Sequence, residues 1–99
     1  NVSNQIYGIS TYITRDKKRY RIDGFSNHLY KNDFYELIKR TYNLILKNDP
    51  SEVYVDILVE DEFKMEIFSE LGFVLSNYCY CKFEDKTEKL CNRMLVKIN

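Results

Sequence analysis

The sequence predicts a single α+β domain, with one mixed β-sheet and helices packed on it. The chain has 99 residues, which is enough for one hydrophobic core. Its composition, 44% apolar and 30% charged, is that of an ordinary globular protein. Strand and helix patterns follow each other in the order β-β-α-β-α-β-β, and this interleaving favours a mixed sheet. We therefore treat residues 1–99 as one domain.

The first two strands are predicted from two β-rich runs, Ile6 to Thr14 and Arg19 to Phe25. A polar turn, Arg15 to Lys18, separates them. In the second run Tyr20 and Ile22 share one face, since side chains alternate along a strand. Two such runs across a short polar loop indicate a β-hairpin.

The first helix is expected to begin near Asp33, because Asp33 with Glu36 three residues later resembles a capping box. Pro50 ends the pattern, since proline cannot continue a helical ladder. The positions of one helix face follow at helical spacing: Phe34, Leu37, Ile38, Thr41, Leu44 and Ile45.

The next strand, Val53 to Val59, has two largely apolar faces, which predicts a central strand covered on both sides. A second helix follows, with an acidic start at Glu60 to Glu62 and Gly72 as a left-handed C-terminal cap. The remaining pattern predicts a long strand, Phe73 to Phe83. It then predicts a polar connection over 84–90 and a short last strand over 94–98.

Charge and composition exclude several classes of function. The formal net charge is zero, whereas a general nucleic-acid binder needs an excess of Lys and Arg. No apolar run approaches the ~20 residues needed to cross a bilayer. Three cysteines do not make a disulfide framework, so we expect a reducing, cytoplasmic setting.

Three segments, in this order, resemble the C-terminal half of the GNAT (Gcn-related N-acetyltransferase) superfamily. They are "YRIDGFSNHL" (Tyr20 to Leu29), "VYVDILV" (Val53 to Val59) and "EDEFKMEIFSELGF" (Glu60 to Phe73). The last ends in "IFSELGF", which is similar to the family's "LYEKLGF". The resemblance covers about Ile6 to Ile98, and the family's first strand and first two helices have no counterpart in it.

The resemblance implies acetyl-CoA as cofactor and no metal, with a small amine or a protein as the acyl acceptor. Backbone groups of the Gly24 to His28 segment would position the acyl carbonyl. Cofactor contacts are expected at the end of the second strand and the start of the first helix: Phe25, Ser26, His28, Lys31 and Asn32. The sequence assigns no catalytic residue.

The sequence departs from the family at the places that hold the cofactor. The family's pyrophosphate loop is glycine-rich, because backbone N–H groups must approach the anion closely. Here "HLYKNDFYEL" (His28 to Leu37) has no glycine and places Asp33 and Glu36 near the helix start. Phe68 stands where many members carry the Tyr that acts as the acid and reprotonates the leaving CoA thiolate. Lys64 stands where they carry a small residue. The acetyl-CoA loop is therefore degenerate.

Two classes of function stay open after these departures. One is a divergent acyl-CoA-dependent N-acetyltransferase domain whose ordinary activity is weak or lost. The other is a non-catalytic binding or dimerisation module that keeps the fold. In either case an upstream domain or a second copy is expected to cover an exposed sheet edge.

Other candidate sites each have a simpler structural interpretation. His28, the only histidine, could act as a general base beside a thioester or could be a surface residue. Cys79 and Cys81 share a strand face and could help bind a metal, but buried thiols are the simpler interpretation. The basic stretch Arg15 to Arg21 could bind the phosphates of CoA or another anion, or could be a solvated turn. The acidic residues between Glu60 and Glu70 could pair head-to-tail with the basic stretch of another copy, or could be a solvated helix face. Tyr78 and Tyr80, with Tyr54, could line a cleft or an interface, or could pack on the sheet.

Overall fold

The computed structural model describes residues 8–26, 30–83 and 85–98, with the Ser26 side chain left out. These residues form five strands and two helices in the predicted order. The elements are β1 (Gly8–Thr14), β2 (Arg19–Ser26), α1 (Lys31–Leu46), β3 (Glu52–Leu58), α2 (Glu62–Glu70), β4 (Val74–Lys82) and β5 (Glu88–Lys97). The sheet order is β1-β2-β3-β5-β4, and only the β2–β3 pair is parallel. The predicted α+β class with one mixed sheet is confirmed.

The β1–β2 hairpin forms as predicted, with Gly8 opposite Ser26 and Thr14 opposite Tyr20. Its turn depends on the Asp16 carboxylate, which accepts hydrogen bonds from the backbone N–H groups of Lys18 and Arg19 at 2.9 and 3.0 Å. These bonds stabilise the charged carboxylate and lower the pKa of Asp16.

The capping box predicted for α1 is wrong. The helix begins at Lys31 with Tyr30 as its N-cap, and no side chain caps it. Asp33 therefore lies inside the first turn, where its charge faces the positive end of the helix dipole. The predicted face is confirmed at Phe34, Ile38, Thr41 and Ile45, which are buried, but it is wrong at Leu44, which is 52% exposed.

The signals at both ends of α2 are confirmed. Asp61 is the N-cap, and its side chain accepts a hydrogen bond from the Lys64 backbone N–H at 3.1 Å. Gly72 follows the helix with φ of +96°, a conformation that favours glycine. The Phe73 N–H then donates to the Phe68 carbonyl at 3.0 Å and closes the helix end.

The last strand is much longer than predicted, and the polar connection is shorter. β5 spans ten residues, pairing with β3 as far as Leu58↔Cys91 and with β4 as far as Lys82↔Glu88. The Phe83 N–H donates to the Thr87 carbonyl at 2.9 Å, so β4 and β5 stay together almost to the turn. Glu88 and Lys89 looked like loop residues because they are charged, but cross-strand pairing on an exposed strand end accommodates charge.

The hydrophobic core lies on one face of the sheet, which we call the helix face. Val53, Val55 and Ile57 point into it from β3, and both helices pack on it. Gly24 lets β2 approach α1 closely, since a Cβ there would lie 3.0 Å from Ile38 and 3.1 Å from Phe34.

The opposite face of the sheet, the open face, carries neither of the two described helices. β3 is a central strand, as predicted. The prediction that both of its faces are covered is wrong for the described part of the chain. The reason lies in the side chains: Tyr54 and Asp56 are half-buried and contact arginines instead of an apolar layer.

Candidate functional site

The strands β2 and β3 separate after a short stretch of parallel pairing. Their register covers only Arg19↔Glu52, Tyr20↔Val53 and Arg21↔Tyr54, although both strands continue for several residues. We call the diverging ends, Asp23–Ser26 and Val55–Leu58, the splay. Backbone groups on the inner edges of a splay lack ladder partners there, so they are available to a ligand or a side chain.

In this chain a side chain reaches into the splay. Lys64 of α2 donates a hydrogen bond from its Nζ to the Gly24 carbonyl at 2.7 Å. The Lys64 side chain is mostly buried, with 22% exposed, and its Nζ lies 4.0 Å from the Asp61 carboxylate. A backbone acceptor of β2 is thereby bound to a cationic group from the neighbouring helix.

The N-terminus of α1 is joined to α2 by ion pairs. Lys31 Nζ lies 2.5 Å from a Glu66 carboxylate oxygen and 3.6 Å from one of Glu70. The hydrogen bond to Glu66 raises the pKa of Lys31. Beneath this bridge the rings of Phe34 and Phe63 stack with centroids 6.1 Å apart. The first turn of α1 is therefore tied to α2 by both charge and packing.

The predicted cofactor residues are only partly brought together. Lys31 and Asn32 line a shallow cavity of about 370 Å³ at the start of α1, along with Tyr30 and Asp33. Phe25 is 62% exposed and points to the open face, because its neighbour Gly24 faces the helices. His28 lies outside the described residues, and of Ser26 only the backbone, the last residue of β2, is described.

Phe68 is packed into the core on the helix face. It is fully buried, and its ring meets Phe73 edge-on at 5.1 Å. It has no hydroxyl group, so this position supplies no proton donor for a leaving thiolate.

The open face carries a row of arginine–carboxylate pairs. Arg93 binds Asp56 through two bonds of 2.7 and 3.0 Å, and this pairing raises the pKa of Arg93. Arg19 binds Glu52 at 2.7 Å. The guanidinium groups of Arg19 and Arg93 lie 4.6 and 4.7 Å from the ring centre of Tyr54. Both arginines therefore have a carboxylate partner and a contact with the same aromatic ring.

In the sequence, Lys64 is recognisable only as a departure from the family pattern. Its bond to Gly24 joins residues forty positions apart, so no local pattern predicted it. The Arg93–Asp56 pair was also missed, because it spans 37 positions and depends on β5 pairing with β3.

No family model and no curated protein matches this chain. Solved structures do match it. The acetyltransferase of GNAT family from Streptococcus pneumoniae covers 99% of this chain at 13% identity, with a TM-score of 0.72. The spermidine/spermine N-acetyltransferase SpeG from Vibrio cholerae covers 94% of this chain at 17% identity, with a TM-score of 0.74. The structure of yncA from Salmonella typhimurium, solved with its cofactor acetyl-CoA, covers 97% of this chain at 9% identity, with a TM-score of 0.76.

The chain therefore has the fold of GNAT acetyltransferases, as the sequence resemblance predicted. It spans 60–64% of the lengths of these three proteins. None of the described helices is long and apolar enough to cross a membrane.

Groups at the places where the fold implies acetyl-CoA already have partners within this chain. The Gly24 carbonyl, in the segment expected to position the acyl group, is already bound by Lys64. Glu66 and Glu70 reach the start of α1, where the pyrophosphate would lie, and Asp33 adds a third carboxylate in its first turn. Carboxylates near a helix N-terminus compete with a phosphate for the same positive potential.

Proposed function

We propose that this chain is a divergent GNAT-type N-acyltransferase domain whose ordinary acetyl-CoA-dependent transfer is weak or lost. The observation that carries the proposal is the 2.7 Å hydrogen bond from Lys64 Nζ to the Gly24 carbonyl inside the splay. A cofactor entering the splay must displace this ammonium group or bind elsewhere. The acceptor, if transfer persists, is a small amine or a protein amine.

The size of the effect supports weak binding. A hydrogen bond to a charged group contributes about 1.5–3 kcal/mol, and each 1.4 kcal/mol changes affinity about tenfold. Displacing Lys64 without replacing its bond would therefore weaken the cofactor roughly 10- to 100-fold. Loss of the glycine-rich loop would weaken it further, because side chains keep the phosphates away from the backbone N–H groups.

A titration of Lys64 variants tests this proposal. Acetyl-CoA and CoA are added to the wild type, to Lys64→Ala and to Lys39→Ala, an exposed lysine on α1 as matched control. Thermal shift and calorimetry report binding. We expect no saturable shift for the wild type or the control below about millimolar ligand, and roughly 10- to 100-fold tighter binding for Lys64→Ala.

Low-micromolar binding of acetyl-CoA by the wild type would overturn the proposal. Unchanged binding in a folded Lys64→Ala variant would show that Lys64 is not the obstacle. Circular dichroism of each variant separates these results from a loss of fold.

A non-catalytic binding or dimerisation module is the second candidate, favoured by the edges of the sheet. The edge strand β1 carries Ile9 and Ile13, which are 48% and 50% exposed, and the other edge, β4, carries exposed Val74 and Tyr78. Exposed apolar edge strands are commonly covered by another chain or domain. Light scattering of the wild type and of Ile13→Lys tests this: a concentration-dependent dimer lost in the variant supports it, and a monomer at all concentrations argues against a second copy.

A further inference from the structure

All three cysteines lie on the open face of the sheet, next to the β3 side of the splay. Cys79 and Cys81 point the same way from β4, as the sequence predicted, and Cys91 lies opposite Cys79 on β5. An Asp56 carboxylate oxygen from β3 and the Sγ atoms of Cys79 and Cys81 all lie within 4.8 Å of one another. Three adjacent strands thus bring thiols and a carboxylate to one point.

These groups interact with one another. The Cys79 thiol interacts with Asp56, and the thiols of Cys81 and Cys91 interact with each other. Cys91 is buried, while Cys79 and Cys81 are half-buried. Burial raises the pKa of Cys79 to about 11 and that of Cys81 to about 12, so both are protonated at neutral pH.

Arg93 fixes the carboxylate at the edge of this group. It holds both oxygens of Asp56 through the two bonds described above. A carboxylate has about four lone-pair positions, so Asp56 can keep both bonds and still bind a cation. Such outer partners orient metal ligands and balance their charge.

We propose that Cys79, Cys81 and Asp56 form a site for a thiophilic metal ion such as Zn²⁺ or Cu⁺. This differs from the sequence-based expectation of no metal. Thiolates are the preferred ligands of both ions. With a Zn–S bond of about 2.3 Å, tetrahedral donors stand roughly 3.8 Å apart, so donors within 4.8 Å need to move by only about 1 Å.

The site has an entry path and a defined proton balance. A cavity of about 480 Å³ is lined by Asp56, Cys81, Cys91 and Arg93. Each thiol that becomes a ligand releases its proton to solvent. Binding therefore releases at least the two protons of Cys79 and Cys81, and affinity falls as the pH is lowered.

The test is a titration of the reduced chain with Co²⁺ as the spectroscopic probe, followed by displacement with Zn²⁺, and a separate arm with Cu⁺. We expect one Co²⁺ per chain with thiolate-to-metal charge-transfer absorbance, and at least two protons released per ion. Stronger displacement by Zn²⁺ or by Cu⁺ identifies which of the two ions the site prefers.

Matched variants assign the ligands. The double variant C79S/C81S should lose more affinity than the 10- to 100-fold typical of an outer-shell partner. Tyr78→Phe, which alters an exposed residue beside Cys79 on the other face of β4, should leave affinity unchanged.

Two results would overturn the proposal. One is the absence of charge-transfer absorbance and of proton release in the folded wild type. The other is equal metal affinity in the wild type and C79S/C81S. An intramolecular disulfide formed on mild oxidation, in a chain that binds no metal when reduced, would instead assign the cysteines to redox chemistry.

Discussion

The two faces of the sheet are built from different chemistry, although the same strands form both. On the helix face, Val53, Val55 and Ile57 are buried among apolar side chains of α1 and α2. On the open face, the intervening residues of β3 contact arginines and thiols. The difference indicates that the helix face supplies most of the stability, whereas the open face supplies polar groups with fixed partners. Apolar burial is roughly additive with area, whereas the net stability from an ion pair is reduced by the cost of removing its charges from water.

The largest effect on stability is expected from creating a cavity on the helix face at Phe68. Phe68→Ala should lower the free energy of unfolding by about 3–5 kcal/mol, because it leaves a cavity in a core that cannot fully collapse. Val74→Ala on the open face removes a side chain that is 61% exposed, and it should change stability by no more than about 0.5 kcal/mol. Urea denaturation measures both.

Equal losses in these two variants would contradict the proposed difference between the faces. If Phe68→Ala leaves no cooperative transition, Phe68→Leu serves as the graded variant. It retains more volume and should lose less stability than alanine.

An intermediate effect is expected from breaking the Arg93–Asp56 pair. The two side chains are 28% and 13% exposed, between surface and buried pairs. Arg93→Ala leaves the Asp56 carboxylate without its partner and should cost about 1–3 kcal/mol. Arg93→Lys keeps the charge but not the two-bond geometry, so it should recover only part of the loss.

A double-mutant cycle with Asp56→Asn measures the coupling in this pair. We expect a coupling free energy of about 0.5–3 kcal/mol from urea denaturation. A value of zero would mean that the open-face pairs do not contribute to stability at all.

The smallest effect is expected at the bridge between the helices. Lys31 and Glu66 pair on the surface, where solvent screens their attraction. Glu66→Gln should therefore leave the urea midpoint unchanged within error at physiological salt. A clear loss that disappears in high salt would show that this exposed bridge matters more than its position on the surface suggests.

Most of the fold was predictable because the decisive signals are local. Asp61 and Gly72 mark the two ends of α2 through hydrogen bonds and a backbone angle within a few residues. The start of α1 was misplaced because Asp33 has the residue type of a cap but lies inside the helix. The length of β5 was underestimated because the charges of Glu88 and Lys89 are typical of a loop. In the structure both residues pair with β4.

The candidate site was predictable only in outline. From the family resemblance, the sequence predicted a cofactor loop without glycines and a substitution at Lys64, since both are local departures from the family pattern. It could not predict that Lys64 binds the Gly24 carbonyl, nor that Asp56 lies with Cys79 and Cys81. These contacts depend on strand order and on which face each side chain points to.

The sequence by itself determined the type and order of the elements, because periodicity and end signals act over one or two helical turns. The tertiary structure decided which distant groups meet: Lys64 with the Gly24 carbonyl, Arg93 with Asp56, and the thiols with one another. The physical reason is that contacts between residues about forty positions apart form only when the core has fixed the relative positions of the helices and strands.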